Sequence, residues 1–340
     1  MPFVAEILKH RSLSIVGLEK NTGKTVCLNY VLRRLADMGV RCAVTSIGVD
    51  GEQVDAVYGS AKPEVRLYEG MYFTTSEQHY HRRRVVSDIV AVGPARTALG
   101  RLVTARVVCG GKALISGAAS TPMMQQYMSL YDSLGCRLSI VDGALSRLSP
   151  ASPTVTEAMI LATGAAVSAN LAQLIARTRF AYRLISLPEV DEGLRRALSP
   201  IAQGLWGVDS DGVPHDLQVA SAFLLERSEA DLTRFGTTLF AAGAVTDRLL
   251  RHLAAHRRVA DITLVARDFT KLFASADTVG AFAQRGGQLR VLNRSSLVAI
   301  CLNPTSPRGY HLHSADACRA LSDALGIPVY DVKQCTPPAL

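Results

Sequence analysis

The sequence predicts an α/β fold: a doubly wound, mostly parallel sheet, followed by a second α/β region. Three observations predict it. Short apolar runs alternate with amphipathic stretches along most of the 340 residues, the pattern of buried parallel strands joined by crossover helices. The first apolar run ends in a Gly-containing loop that opens directly into a helix. Two early helical stretches stop at Gly39 and Gly135, the residue type that ends helices most readily. A hydrophobic content of 48% supplies material for two ordinary cores, and 19% charged residues argue against a disordered chain.

The elements follow in order. The opening strand is Leu13 to Val16, and a helix runs from Lys24 to Met38. A second strand, Arg41 to Ile47, ends in Gly48-Val49-Asp50-Gly51. Residues 64–75 read as extended, and 76–103 as mostly helical with a break at Gly93-Pro94. Strands are expected at 105–109 and 113–116, a helix from Pro122 to Leu134, and a strand from Arg137 to Val141 ending in Asp142-Gly143. A helix is expected over 154–178 and a strand over Tyr182 to Leu187. Gly207 to Asp216 concentrates Gly, Asp and Pro and reads as a linker between a P-loop nucleotide-binding domain at 1–206 and, at 217–340, a second α/β domain or an extension of the first sheet. Beyond it, strands at 236–241, 261–266, 288–293 and 297–302 alternate with helices at 243–256, 275–284 and 314–325. A short strand over 328–332 comes last.

The formal net charge is +8, and all but seven of the 37 cationic residues are Arg. They are scattered, and the run Arg82-Arg83-Arg84 has no interleaved aromatic residue for stacking on bases. No nucleic-acid partner is therefore expected. The seven Cys form no C-x-x-C pair and sit mostly in apolar surroundings, which points to a reducing, cytoplasmic location. The N-terminus has no signal-peptide core, and Val155 to Ala176 is broken by Glu157, Thr163, Ser168, Asn170 and Gln173, so no membrane span is expected.

The strongest motif is Gly17-Leu18-Glu19-Lys20-Asn21-Thr22-Gly23-Lys24-Thr25. It follows a buried strand and opens a helix, the setting of a phosphate-binding loop. Backbone N–H groups of such a loop converge on phosphate oxygens. Gly23 allows close approach, Lys24 reaches the β- and γ-phosphates, and the Thr25 hydroxyl takes Mg²⁺. The strict pattern asks for Gly where Leu18 stands, so Gly17 lies one residue early. Asp142, at the end of an apolar strand, is the candidate acidic partner for Mg²⁺; the alternative is a turn Asp.

The Lys-Asn-Thr-Gly-Lys-Thr tail resembles the variant loops of dethiobiotin-synthetase and MinD-type proteins, and most of all those of molybdopterin-guanine-dinucleotide accessory GTPases. That resemblance implies a phosphate contact for Lys20 and a role for Asp50 on Mg²⁺ or the attacking water, against a plain Asp-Gly turn.

Weaker features remain. His79-x-His81 and His311-x-His313 lack further ligands at metal spacing and read as surface residues. Asp268-Phe269-Thr270-Lys271 and Asn303 to Tyr310 follow apolar strands, where open sheets bind ligands, although both are also turn formers.

Several blocks together resemble one family. They are Ser14 to Thr25, residues 45–52, Lys62-Pro63 with Glu69-Gly70 and Thr74-Thr75, residues 141–168, 266–273 and 302–311. They resemble the small reactivase subunit of lysine 5,6-aminomutase across nearly the whole chain. The resemblance implies an ATP- and Mg²⁺-dependent factor that acts with a MutS-like ATPase subunit. Such a factor releases damaged cobalamin from the aminomutase so that fresh adenosylcobalamin can enter. Two other classes stay open: an accessory GTPase for cofactor delivery, although no N/T-K-x-D segment is present, and an enzyme that phosphorylates a carboxylate.

Overall fold

The computed structural model describes residues 3–47, 64–144, 152–153, 155–220 and 231–335. Contacts divide the chain into two units, Met1–Arg179 with Ser296–Leu340, and Phe180–Ser295. The second unit is thus an insertion within the first.

The first unit begins with α1 (Val4–Ile7), β1 (Ser12–Gly17), α2 (Lys24–Asp37) and β2 (Cys42–Ser46). It continues through β3 (Val65–Leu67), β4 (Tyr72–Ser76), α3 (Glu77–His81), β5 (Arg84–Thr97) and β6 (Gly100–Ala113). Next come α4 (Thr121–Ser133), β7 (Leu138–Ala144), β8 (Ala158–Gly164) and α5 (Leu171–Ile185), which runs across the division. The insertion carries α6 (Glu192–Leu198), β9 (Leu205–Val208), β10 (Pro214–Val219), β11 (Thr238–Ala241), β12 (Val245–Thr246) and α7 (Asp247–Ala254). Its remaining elements are β13 (Thr263–Ala266), β14 (Leu272–Phe273), α8 (Ala276–Gln284) and β15 (Gln288–Val291). The chain then returns with β16 (Ser296–Asn303), α9 (Ser314–Leu325) and β17 (Val329–Tyr330).

Among the described residues the first unit builds a 10-stranded sheet in the order β17-β16-β8-β1-β7-β2-β4-β6-β3, with β5 added on β6. From β17 to β4 every neighbouring pair is parallel. The pairs of β6 with β4, β3 and β5 are antiparallel. The sheet is therefore mixed, with mostly parallel strands. Alternation along the strands sorts side chains to its two faces. Leu13, Ile15 and Ile140 pack with Leu28, Leu32 and Leu35 of α2 in one core. Val141 and Ala43 pack with Met124, Tyr127 and Tyr131 of α4 in another. The insertion has its own 5-stranded sheet, β10-β9-β11-β13-β15, parallel from β11 to β15. Its core includes Leu198, Phe240, Val265 and Leu292.

Several expectations are corrected. Of the stretch 76–103 expected to be mostly helical, only Glu77–His81 is; residues 84–113, which include the strand expected at 105–109, form a long antiparallel ribbon, β5 with β6. Their Val, Ile and Thr content favours the pleated backbone, and Gly93-Pro94 sits at an irregular stretch of an edge strand, where Pro is tolerated. The helix expected over 154–178 is instead β8 followed by α5, and α5, running to Ile185, replaces most of the strand expected over Tyr182 to Leu187. A fully buried strand has no polar face, so its apolar run looks like a buried helix. Gly207 to Asp216 is no linker but lies in the β9–β10 hairpin of the insertion. No helix among the described residues is long and apolar enough to cross a membrane.

Candidate functional site

The site forms at the carboxyl end of β1. Its strand is buried between β7 and β8, so the chain must leave the sheet at Gly17 and turn back over the sheet edge. Leu18 N–H still donates to Ala162 O of β8 at 2.9 Å. The turn is then held by the Thr22 hydroxyl, which donates to Glu19 O at 2.9 Å with its side chain almost fully buried.

Asn21 and Gly23 have φ of 62° and 89°. Left-handed backbone of this kind is found in the loops from which anion-binding concavities are built. Asn tolerates that conformation better than most side chains, and Gly pays no steric cost for it. Gly23 is also the N-cap of α2, with no side chain capping the helix and no acidic residue in its first turn. The leading N–H groups and the positive end of the helix dipole thus face the loop. Lys24 and Thr25 are the first two helical residues.

Gly17 has a different reason. A Cβ there would lie 2.2 Å from Thr22 Oγ1 and 2.9 Å from Lys24 Cγ. The Lys24 stem therefore runs back across the strand end. The extra residue relative to the strict pattern, Leu18 in place of Gly, is absorbed in this turn without losing that placement.

Asp142 lies on β7, directly beside β1, in register with Ile15. Parallel register partners face the same side, and Ile15 and Ile140 belong to the core under α2. The Asp142 carboxyl therefore sits on the α2 face of the sheet, towards the edge where α2 begins. Its backbone carbonyl accepts from the Ser46 hydroxyl at 3.0 Å and from Ile47 N–H at 3.2 Å, which pins β7 to β2.

Two distant segments brace the loop. Asn303, at the end of β16, donates from Nδ2 to Asn21 O at 3.3 Å and to Thr305 O at 3.0 Å. The absent side chain of Gly23 makes room for it, since a Cβ there would be 2.7 Å from Asn303 Cβ. On the other side Arg177 of α5 pairs with Glu19 and donates to Val167 O at 2.8 Å. A small hollow opens beside the helix start, lined by Thr22, Gly23, Cys27, Cys301, Asn303 and Lys333 among others. At its floor the Cys27 and Cys301 sulfurs are 3.5 Å apart. The contact with Cys27, together with burial, pushes the Cys301 thiol well above its ordinary pKa.

Of the residues singled out in the sequence, Gly17, Lys20, Asn21, Thr22, Gly23, Lys24, Thr25 and Asp142 come together at one sheet edge. Lys20 is exposed on the loop. Asp50 lies outside the described residues, as do Lys62-Pro63 and 145–150. The segment beginning at Asn303 belongs to the site. Asp268 lies in the insertion, buried, and accepts from Thr270 N–H at 2.8 Å in a tight turn. His79 is buried rather than superficial, with Nδ1 3.1 Å from the Ser116 hydroxyl. No group of three or more His, Cys, Asp or Glu placed to hold a metal occurs among the described residues.

Glu19 and Arg177 had no sequence signal as a pair, being 158 positions apart. Against protein families, curated proteins and solved structures, the chain gives no match.

Proposed function

We propose that this chain binds ATP with Mg²⁺ on the loop from Gly17 to Thr25, and that it serves as the small subunit of a factor that reactivates a cobalamin-dependent aminomutase. One observation carries the first part. An uncapped helix N-terminus, approached through left-handed Asn21 and Gly23, has Lys24 and Thr25 in its first turn and Asp142 one strand away. Asn21 Nδ2 is also buried with no hydrogen-bond partner, an unspent donor within the loop that fits an anion.

In this reading loop N–H groups and Lys24 bind phosphate oxygens, Lys20 adds a flanking charge, and Thr25 and Asp142 hold the metal. Mg²⁺ would supply charge neutralisation across the phosphates. Arg177 and Asn303 position the loop by gripping Glu19 and Asn21, with no contact to phosphate required. Asn303 joins the loop to β16, so loop position and strand position are coupled. A nucleotide shifts a partner's conformation only when it binds two states with different affinity, and this brace is a route for such a difference.

The second part is supported by the resemblance of residues 14–25, 45–52, 141–168, 266–273 and 302–311 to the aminomutase reactivase subunit. The lysine 5,6-aminomutase and a MutS-like ATPase would be its partners.

Two measurements test the parts separately. Calorimetry with ATP and Mg²⁺ should show binding that Lys24→Ala weakens at least about tenfold, roughly 1.4 kcal/mol. Unchanged binding would remove the nucleotide site. For the partnership, aminomutase inactivated by turnover is given this chain, the MutS-like protein, ATP, Mg²⁺ and fresh adenosylcobalamin. Activity should return only with all components and should fall with Lys24→Ala; full recovery without this chain would overturn the reactivase reading.

A further inference from the structure

β5 has an edge that no strand among the described residues covers. Its ladder partner is β6, whose opposite edge is taken by β4 and β3. A free edge offers unpaired N–H and C=O groups to any extended chain. This edge is also apolar: Val86 is 61% exposed, Ile89 55% and Val92 45%, with Val90 between them. With Val108 on β6 they make five of the nine strongly exposed large hydrophobic residues among those described.

Cations flank the apolar stretch. Arg84, Arg96, Arg101, Arg106 and Lys112 are exposed on the ribbon, against one exposed carboxylate, Asp88. The ladder sets Arg96 opposite Arg101, and Arg84, which already pairs with Glu64, opposite Lys112. Like charges paired across strands are unfavourable, and a facing carboxylate relieves them.

We propose that the outer edge of β5, over Val86–Val92, docks an extended segment of a partner protein by strand addition, a segment apolar at alternate positions and acidic at its ends. Main-chain ladder bonds would supply affinity and the side chains selectivity. Pro94 has no N–H, and the β5–β6 ladder shifts register between Arg84 and Val86, Val86 and Ser87, Ile89 and Ala91, and Val92 and Arg96, so the docked strand is short and follows a kinked edge. A second copy fits less well, because antiparallel self-pairing centred on Val90 puts Arg84 against Arg96. Nucleic acid fits less well too, since neither strand of the ribbon carries an aromatic residue for stacking. The inference does not depend on the nucleotide reading.

The test uses the full chain and two fluorescent peptides with the same alternating Val-Thr centre, one ended by Asp and Glu, the other by Lys. Anisotropy should show the acidic-ended peptide binding at least about tenfold more tightly, and less so in high salt. Ile89→Lys with Val92→Lys should remove that binding while the thermal midpoint stays in place. Arg96→Glu with Arg101→Glu, which leaves the apolar centre alone, should turn the preference towards the Lys-ended peptide. No binding, equal binding of both peptides, or binding indifferent to both variants overturns the proposal. So does tighter binding of a DNA duplex or of phosphatidylserine vesicles, or a dimer by sedimentation that the Ile89→Lys/Val92→Lys variant dissolves.

Discussion

Gly23 is where backbone and packing constrain one residue together. Its φ of 89° is costly for any side chain, and a Cβ would press on Asn303 at 2.7 Å. Gly23→Ala should therefore destabilise the fold by about 1–3 kcal/mol in a denaturant titration and loosen the Asn303 brace. A stability equal to wild type would mean the loop can adopt another conformation. In the proposed reading Asp142 is constrained by chemistry instead. Asp142→Asn keeps the shape and removes the charge, so calorimetry should show at least about a tenfold loss of ATP affinity with Mg²⁺ and little loss in its absence. Equal losses in both would make Asp142 a structural residue. The residue types of this loop were legible because Gly, Lys and Thr stand together, within a few residues, in the pattern of a phosphate-binding loop. The grip of Arg177 on Glu19 was not, because nothing near either residue in the chain refers to the other.

Among the elements, strands with one polar and one apolar neighbour in sequence were legible, and those without were not. α2, α4, α8 and α9 lie within two residues of their expected ends because each carries an apolar stripe and a stop signal. β8 was hidden by burial on both faces, and β5 because no described strand covers its outer edge, where apolar and polar residues mix. The β9–β10 hairpin was taken for a linker because its turn residues, Asp209 to Val213, are those of any loop. In the fold they are specific. Asp209 accepts from Val213 N–H at 2.9 Å, from Asp211 N–H at 3.0 Å and from His215 Nε2 at 2.6 Å. The His215 hydrogen bond first, and the Val213 amide next, hold the Asp209 carboxyl below the usual carboxylate range. A lowered folded-state pKa means that the stabilisation is present above the ordinary value, about 4, and fades as pH falls through the folded one. Amide exchange at Val213 should accelerate over that acid range, beyond the intrinsic pH dependence of exchange. Asp209→Asn should exchange faster at neutral pH and lose the acid step. A Val213 protection factor that stays constant with pH in the wild type would contradict this.

At the scale of the whole molecule, the insertion of Phe180–Ser295 separates β8 from β16, which pair along seven residues. The parallel sheet is therefore complete only when the chain returns after Ser295. A chain ending at Ser295 would expose the buried β8 edge and lose the buried Ile300, Cys301 and Leu302, together with the Asn303 brace. It should lack the cooperative thermal transition of the full chain and bind ATP weakly or not at all. A soluble truncation with unchanged midpoint and affinity would show that the first unit folds without β16. The sequence by itself determined the α/β class, the strand–loop–helix and the residues that make the loop a phosphate-binding candidate, because period, turn chemistry and helix stops act within a few residues. Tertiary structure alone decided that the sheet is mixed, that the second unit is inserted rather than appended, and that Asn303 and Arg177 meet the loop. Those outcomes depend on strand pairings and contacts between residues as many as 282 positions apart, and free energy gained on burial depends on what is covered, not on how far along the chain it lies.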